Sequence, residues 1–518
     1  MVFSSYTFTL FFLPAVLMLT YFFRKKSSDA VIVFLILASI VYYGFWNWQL
    51  VWIIFLSIGV NFSLGLLLDR YTAMARVRLA VLVSGVVFNL GLLGFYKYSN
   101  FFIENFNVLL GGDVGFLSVV LPLGISFFTF QQIAYLVDVF QNKVHEHKFH
   151  HYFLFVTFFP QLIAGPIVHH KEIMPQIVGG ALGRFSSSQF AQGLSIFVLG
   201  LSKKVILADG IAVYATPVFE AAESGIAIPL LEAWGGVLAY TFQIYFDFSG
   251  YSDMAIGLGL MLGLKLPINF LSPYKASSLI EFWNRWHITL SRFLKDYLYI
   301  PLGGNRKGEP RQYMNILVVM LLGGFWHGAS WNFVIWGGLH GVGLTVNHYY
   351  RSLKGETSEQ LKKSWVQVWL GRIVTFLFVV FAWVFFRATS FDGAMNIVQG
   401  MVGLNGIVLP VTYSAYLGSY ADLAVQLGVE FKEGYLYAGS RQVLMLVALL
   451  GVAWFLPSTL EWTAYESPLI TQRTHALMRH TKRLRWSATP VWGGALSCMC
   501  IVCLIYMSHG GEFLYFQF

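Results

Sequence analysis

Apolar runs long enough to cross a bilayer recur along this chain, and charge is confined to short stretches between them. A membrane-crossing helix needs about 20 mostly apolar residues. Runs of that kind occupy 7–23, 30–46, 51–68 and 79–95. The first is closed by Arg24, Lys25 and Lys26, and the third is followed by Asp69, Arg70, Arg76 and Arg78. The second ends in Tyr42, Tyr43, Trp46 and Trp48, aromatics of the type that collect at membrane–water interfaces. The fourth is closed by Tyr96, Lys97 and Tyr98, which predicts a short outside loop over 100–115. Basic loops mark the cytoplasmic side, so the N-terminus is expected outside. The first run has no basic n-region and no small-residue cleavage site, and reads as a retained helix.

Composition excludes an ordinary cytosolic enzyme. Only 11% of residues are charged, against about 25% for a soluble domain. The formal charge of +9 sits mostly in short loops, which suits membrane lipid headgroups and excludes nucleic acid as the expected partner. The 3 cysteines are Cys498, Cys500 and Cys503, in a segment apolar enough to span, and read as small packing residues.

The later chain predicts a segment 116–140 broken by LPLG at 121–124, a bent element 152–167, and helices 189–208 and 234–264. Prolines and glycines within apolar sequence are tolerated where protein buries the freed backbone or where it lines a cavity. The stretch 268–312 is too charged to span. Phe282, Trp283, Trp286, Leu290 and Phe293 recur there at helix-like spacing, as in a helix lying at the cytoplasmic interface. Further helices are expected at 313–325, 331–349, 365–386, 442–456 and 492–508, with a polar region 392–440 and a basic cytoplasmic loop 473–485. The fold class is all-α, a single polytopic membrane domain over 1–518, with about ten to twelve transmembrane helices plus re-entrant and interfacial ones.

Two histidines stand out between 281 and 340. His287 lies in EFWNRWH, followed by a basic run; His327 lies in GGFWHG, within an apolar segment. An ionisable side chain at membrane depth needs a partner or a function, and histidine moves protons near neutral pH. Arg285, Arg292, Lys295 and Arg306 form a cationic set suited to a donor's phosphates. Asp247, Ser249 and Asp253 are unusual polar residues in an apolar run. Either they bond neighbouring helices or, with Trp326, they line a tunnel. His145, His147, His150 and His151 crowd a polar loop, but no carboxylate or cysteine stands at ligand spacing, so no metal is expected.

Five motifs together resemble the membrane-bound O-acyltransferase family: FPQLIAGP at 159–166, YFDFSGYSDM at 245–254, EFWNRWH at 281–287, LYIPLGGNR at 298–306 and GGFWHG at 323–328. The opening MVFSS fits as well, and the likeness is strongest to the membrane subunits of alginate and exopolysaccharide O-acetylation. The resemblance covers a core of about 1–400, leaving 401–518 as a C-terminal loop and additional helices. It implies a ring of helices around a central tunnel, with His327 catalytic and His287 the second active-site polar residue. It implies no bound cofactor, acetyl-CoA as acyl donor, and a polysaccharide acceptor reached directly or through a periplasmic acyltransferase partner. It places the chain in the cell inner membrane. D-alanyl transfer to teichoic acid and a non-catalytic transporter are the alternatives.

Overall fold

A computed structural model of the protein describes residues 1–354, 364–433, 439–467, 486–507 and 514. Almost every regular element is a helix; among the described residues the one β-ladder pairs Ile407–Pro410 with Val429–Lys432 in parallel. The predicted basic loop 473–485 lies outside the described residues.

Serines start many of the helices. Ser27, Ser186, Ser278, Ser330, Ser364 and Ser390 each accept a backbone N–H of the first helical turn, satisfying a donor that would otherwise have no partner. Among the described residues, four helical stretches are long and apolar enough to cross a membrane: Thr7–Arg24, Trp48–Arg70, Ala75–Leu110 and Trp365–Arg387. Shorter apolar helices are Ser28–Gly44, Ile125–Phe140, Ser440–Phe455 and Pro490–Tyr506. Their outward faces carry exposed apolar side chains such as Phe11, Met18, Leu37, Trp52, Val83, Val87 and Ile501, as a multi-pass membrane protein requires of its lipid-facing surface.

The third stretch departs from expectation. Helix does not stop at Lys97: a π-helical turn, Gly94–Tyr98, joins Ala75–Leu93 to Ser99–Leu110 in one 36-residue rod. The predicted loop over 100–115 is therefore helical to Leu110. Lys97 does not end the span because its ammonium group finds protein acceptors inside the molecule, described below.

At the centre stands Leu230–Met261, 32 residues long and buried on nearly every side. Ser187–Ser202 packs along it through glycines a heptad apart. A Cβ on Gly193 would come within 2.7 Å of the Gly257 carbonyl, and one on Gly200 within 2.6 Å of the Gly250 carbonyl. Small residues permit such backbone contact between apolar helices.

The region 268–312 is not a surface helix. Leu279–Trp283 and Ile288–Leu294 are separate short helices, and Phe282, Trp286, Leu290 and Phe293 are buried within the molecule. Asn269 and Leu271 bond back to this break: Ile288 N donates to the Asn269 carbonyl, and Leu271 N donates to the Arg285 carbonyl. The interruption at His287 is thus stitched to a preceding extended segment. The expected bend at 152–167 is present as Phe149–Thr157 and Phe159–Leu162, followed by buried non-helical chain.

Candidate active site

His327 is the last residue of Glu309–His327. That helix crosses Trp331–Leu353 at very close range, since a Cβ on Gly324 would lie 2.2 Å from the Phe333 carbonyl oxygen. The tight hairpin brings Trp336 against the imidazole. The His327 ring centre lies 5.2 Å from Trp336, 5.2 Å from Phe386 and 4.9 Å from Trp326, all near-perpendicular edge contacts. Trp326 stacks on Phe130, which stacks in turn on Phe293.

The chain folds so that His287 and His327, forty positions apart, meet with ring centres 6.4 Å apart. His287 is fully buried and has a left-handed backbone, φ 44°, a conformation uncommon outside glycine. Its Nδ1 lies 3.1 Å from Asn269 Oδ1. That oxygen also accepts from the Thr289 hydroxyl at 2.8 Å, and the Asn269 amide nitrogen donates to Ser252 at 3.2 Å. An amide oxygen so fixed sets the proton of a neutral His287 on Nδ1 and makes Nε2 the basic nitrogen. A third histidine, His340, accepts from Trp283 Nε1 at 3.3 Å and lies against Trp336.

A cavity of about 210 Å³ adjoins His327. Trp46, Lys97, Ile163 and Trp326 line it together with the irregular chain 120–124 and the first helical residues after it, 125–127. Gly124, with φ 71°, turns that chain into helix Ile125–Phe140. The LPLG break and the FPQLIAGP bend therefore both serve the cavity wall, as non-helical backbone at membrane depth should.

Lys97 is the site residue that sequence reading misplaced. Its Nζ donates to the carbonyls of Trp326 and His327, each at 2.8 Å, while Tyr98 Oη donates to the Phe325 carbonyl at 2.9 Å. The final carbonyls of a helix are acceptors without an intrahelical donor, at the negative end of its dipole. Lys97 and Tyr98 satisfy them and fix the end of the His327 helix. A lysine inside an apolar run was the available signal.

The remaining predicted site residues separate into different places. Trp326 lines the cavity; Asp247, Ser249 and Asp253 are not among its lining residues. Asp247 Oδ1 pairs with Lys204 Nζ at 2.7 Å, Asp253 Oδ2 with Lys203 Nζ at 2.6 Å, and Ser249 is buried on the same helix. Of the two readings open for these residues, Asp247 and Asp253 display interhelical bonding. Of the donor-binding set, Arg285 is held by Glu281 at 2.8 Å and by the Leu271 carbonyl at 3.0 Å. Arg292 makes a two-pronged pair with Glu172, at 2.7 and 2.9 Å. Lys295 and Arg306 are exposed. The structure brings together the two histidines and Trp326, while Arg285 and Arg292 are tied to separate carboxylates.

Residues 126–391 match MBOAT, the membrane-bound O-acyltransferase family. The chain belongs to that family. It is 46% identical over 400 residues to the peptidoglycan O-acetyltransferase of Helicobacter pylori, covering 72% of this chain and 74% of the relative. To the probable alginate O-acetylase AlgI of Pseudomonas aeruginosa it is 39% identical over 407 residues, covering 77% and 75%. A more distant relative is the teichoic acid D-alanyltransferase of Bacillus subtilis, 26% identical over 278 residues, covering 52% and 69%. As a membrane-bound O-acyltransferase this chain is an O-acyl-transferring enzyme, and the matched region contains both His287 and His327.

Proposed function

We propose that this enzyme moves an acetyl group from cytoplasmic acetyl-CoA to a hydroxyl of a glycan outside the inner membrane. The glycan is peptidoglycan or an exopolysaccharide of the alginate type, as the names of the two relatives suggest. It is reached directly or through a periplasmic acyltransferase partner. Ten to twelve crossings around a central tunnel would join the two aqueous sides.

The observation that carries this reading is the meeting of His287 and His327 beside a cavity. His327 takes the proton of the acceptor hydroxyl as its oxygen attacks the acyl carbonyl. The new C–O bond forms, the C–S bond of the thioester breaks, and the proton leaves with the CoA thiol. His287, its tautomer held by Asn269, orients the donor or meets developing charge through Nε2. Aromatic walls exclude water from the thioester. The D-alanyl alternative has weaker support, since the matching relative aligns with only about half of this chain.

Mass spectrometry of ester-linked acetate tests the proposal, on peptidoglycan and on exopolysaccharide from cells with and without this protein. Loss of acetate from one of them is expected. Unchanged acetylation of both, or loss of D-alanyl esters instead, would overturn it.

A further inference from the structure

The histidine-rich loop is crossed by carboxylates from distant parts of the chain. Asp69, at the end of the helix closing at Arg70, lies 2.9 Å from His145 and 3.9 Å from His147. Asp29, in the first turn of Ser28–Gly44, lies 3.7 Å from His150 Nε2. His150 and His151 occupy the first turn of Phe149–Thr157, their rings 4.5 Å apart and inclined at 72°. Among the described residues, Asp29, His150 and His151 are the group whose ligand atoms all fall within 4.8 Å of one another.

Hydrogen bonding does not account for this arrangement. The Asp29–His150 separation exceeds hydrogen-bond reach, and His150 Nε2 is buried with no hydrogen-bond partner. Ligand atoms about 2.1 Å from a tetrahedral ion lie roughly 3.4 Å from each other. Small rotations of the exposed Asp29 and the part-exposed His150 reach that spacing. A second carboxylate stands behind: Glu146 lies 3.9 Å from His151 Nδ1 and 3.4 Å from His170 Nε2. A carboxylate on the Nδ1 side of an imidazole is the usual support of a metal-binding histidine.

We propose that Asp29, His150 and His151 bind one divalent transition-metal ion, zinc foremost, with water at the fourth position. Imidazole and carboxylate donors suit that ion, and three protein ligands leave one position to solvent. The ion would brace the start of helix Phe149–Thr157 against the start of helix Ser28–Gly44. No part in acyl transfer is assigned to it.

Equilibrium dialysis of the full-length protein, purified without a histidine tag, against Zn²⁺ and Co²⁺ tests the site. One ion per chain is expected, with the strong visible absorption of tetrahedral cobalt. Asp29→Asn and His150→Ala should each weaken binding by at least about tenfold. His145→Ala, in the neighbouring contact with Asp69, should leave it unchanged. Binding well below one ion per chain, a weak octahedral cobalt spectrum, or binding that Asp29→Asn does not weaken would overturn the proposal. Asp29 is exposed, so its substitution reads coordination without disturbing the interior.

Discussion

Along Leu230–Met261, Asp247 and Asp253 are met by Lys204 and Lys203; near Trp336, His287 and His327 are met by an amide and by aromatic rings. Both places put ionisable groups deep in an apolar molecule. In the first, charge answers charge, and the groups are held by partners on the neighbouring helix. In the second, an amide and aromatic rings meet the imidazoles, Lys97 holds the carbonyl of His327, and that histidine adjoins a cavity. A buried pair is costly to break because a desolvated charge is left behind. A neutral imidazole beside a cavity keeps a lone pair for chemistry. The contrast sets structural polarity against the polarity proposed to be catalytic, and each side of it can be attacked.

His327→Ala should cost the most, about a hundredfold to ten-thousandfold in acetyl transfer, the range for losing a general base. The protein should still insert and fold, and His327→Gln should fail equally. Near-normal transfer by a folded His327→Ala protein would make the ring a packing residue and erase the contrast. Asp247→Asn should do the opposite, lowering stability by about 3 kcal/mol while activity per folded molecule stays constant. Thermal unfolding in detergent beside a rate assay reads both; a stable variant with lost activity would move Asp247 into the site.

Asn269→Ala should lower the rate by about a hundredfold, the scale of a misplaced catalytic group, with little change in KM for the donor. An unaltered rate would show that the tautomer of His287 is immaterial. The smallest effects belong to the exposed cations. Lys295→Ala and Arg306→Ala should each raise KM for acetyl-CoA a few-fold, the scale of about 0.2–1 kcal/mol for surface charge contacts. Arg285→Ala and Arg292→Ala should instead lower the yield of folded protein, because their guanidinium groups already hold Glu281 and Glu172. The reverse pattern would return donor binding to the paired arginines.

The helices and the two histidines were legible because apolar runs and a polar residue within them are local signals. Partner choice was not. Lys203 and Lys204 stand more than forty positions from the aspartates they neutralise, so the acids of YFDFSGYSDM looked available for a tunnel. Lys97 resembled an interfacial anchor because its acceptors, the last carbonyls of the His327 helix, lie 229 and 230 positions away. The aromatic spacing of Phe282, Trp286 and Phe293 fits one amphipathic helix. The break at His287 depends on bonds from Asn269 that no periodicity announces. For the same reason Asp29 could not be read as a neighbour of His150.

The left-handed backbone at His287 narrows what drift can do there. Beyond glycine, the residues that enter this conformation most readily are asparagine, aspartate and histidine. Asparagine and aspartate are each one base change from a histidine codon. A lineage released from selection for transfer thus has a short route to a chain that keeps its backbone turn and loses its imidazole. On the role proposed for His287, a silent paralogue would be told from a working one at a single codon.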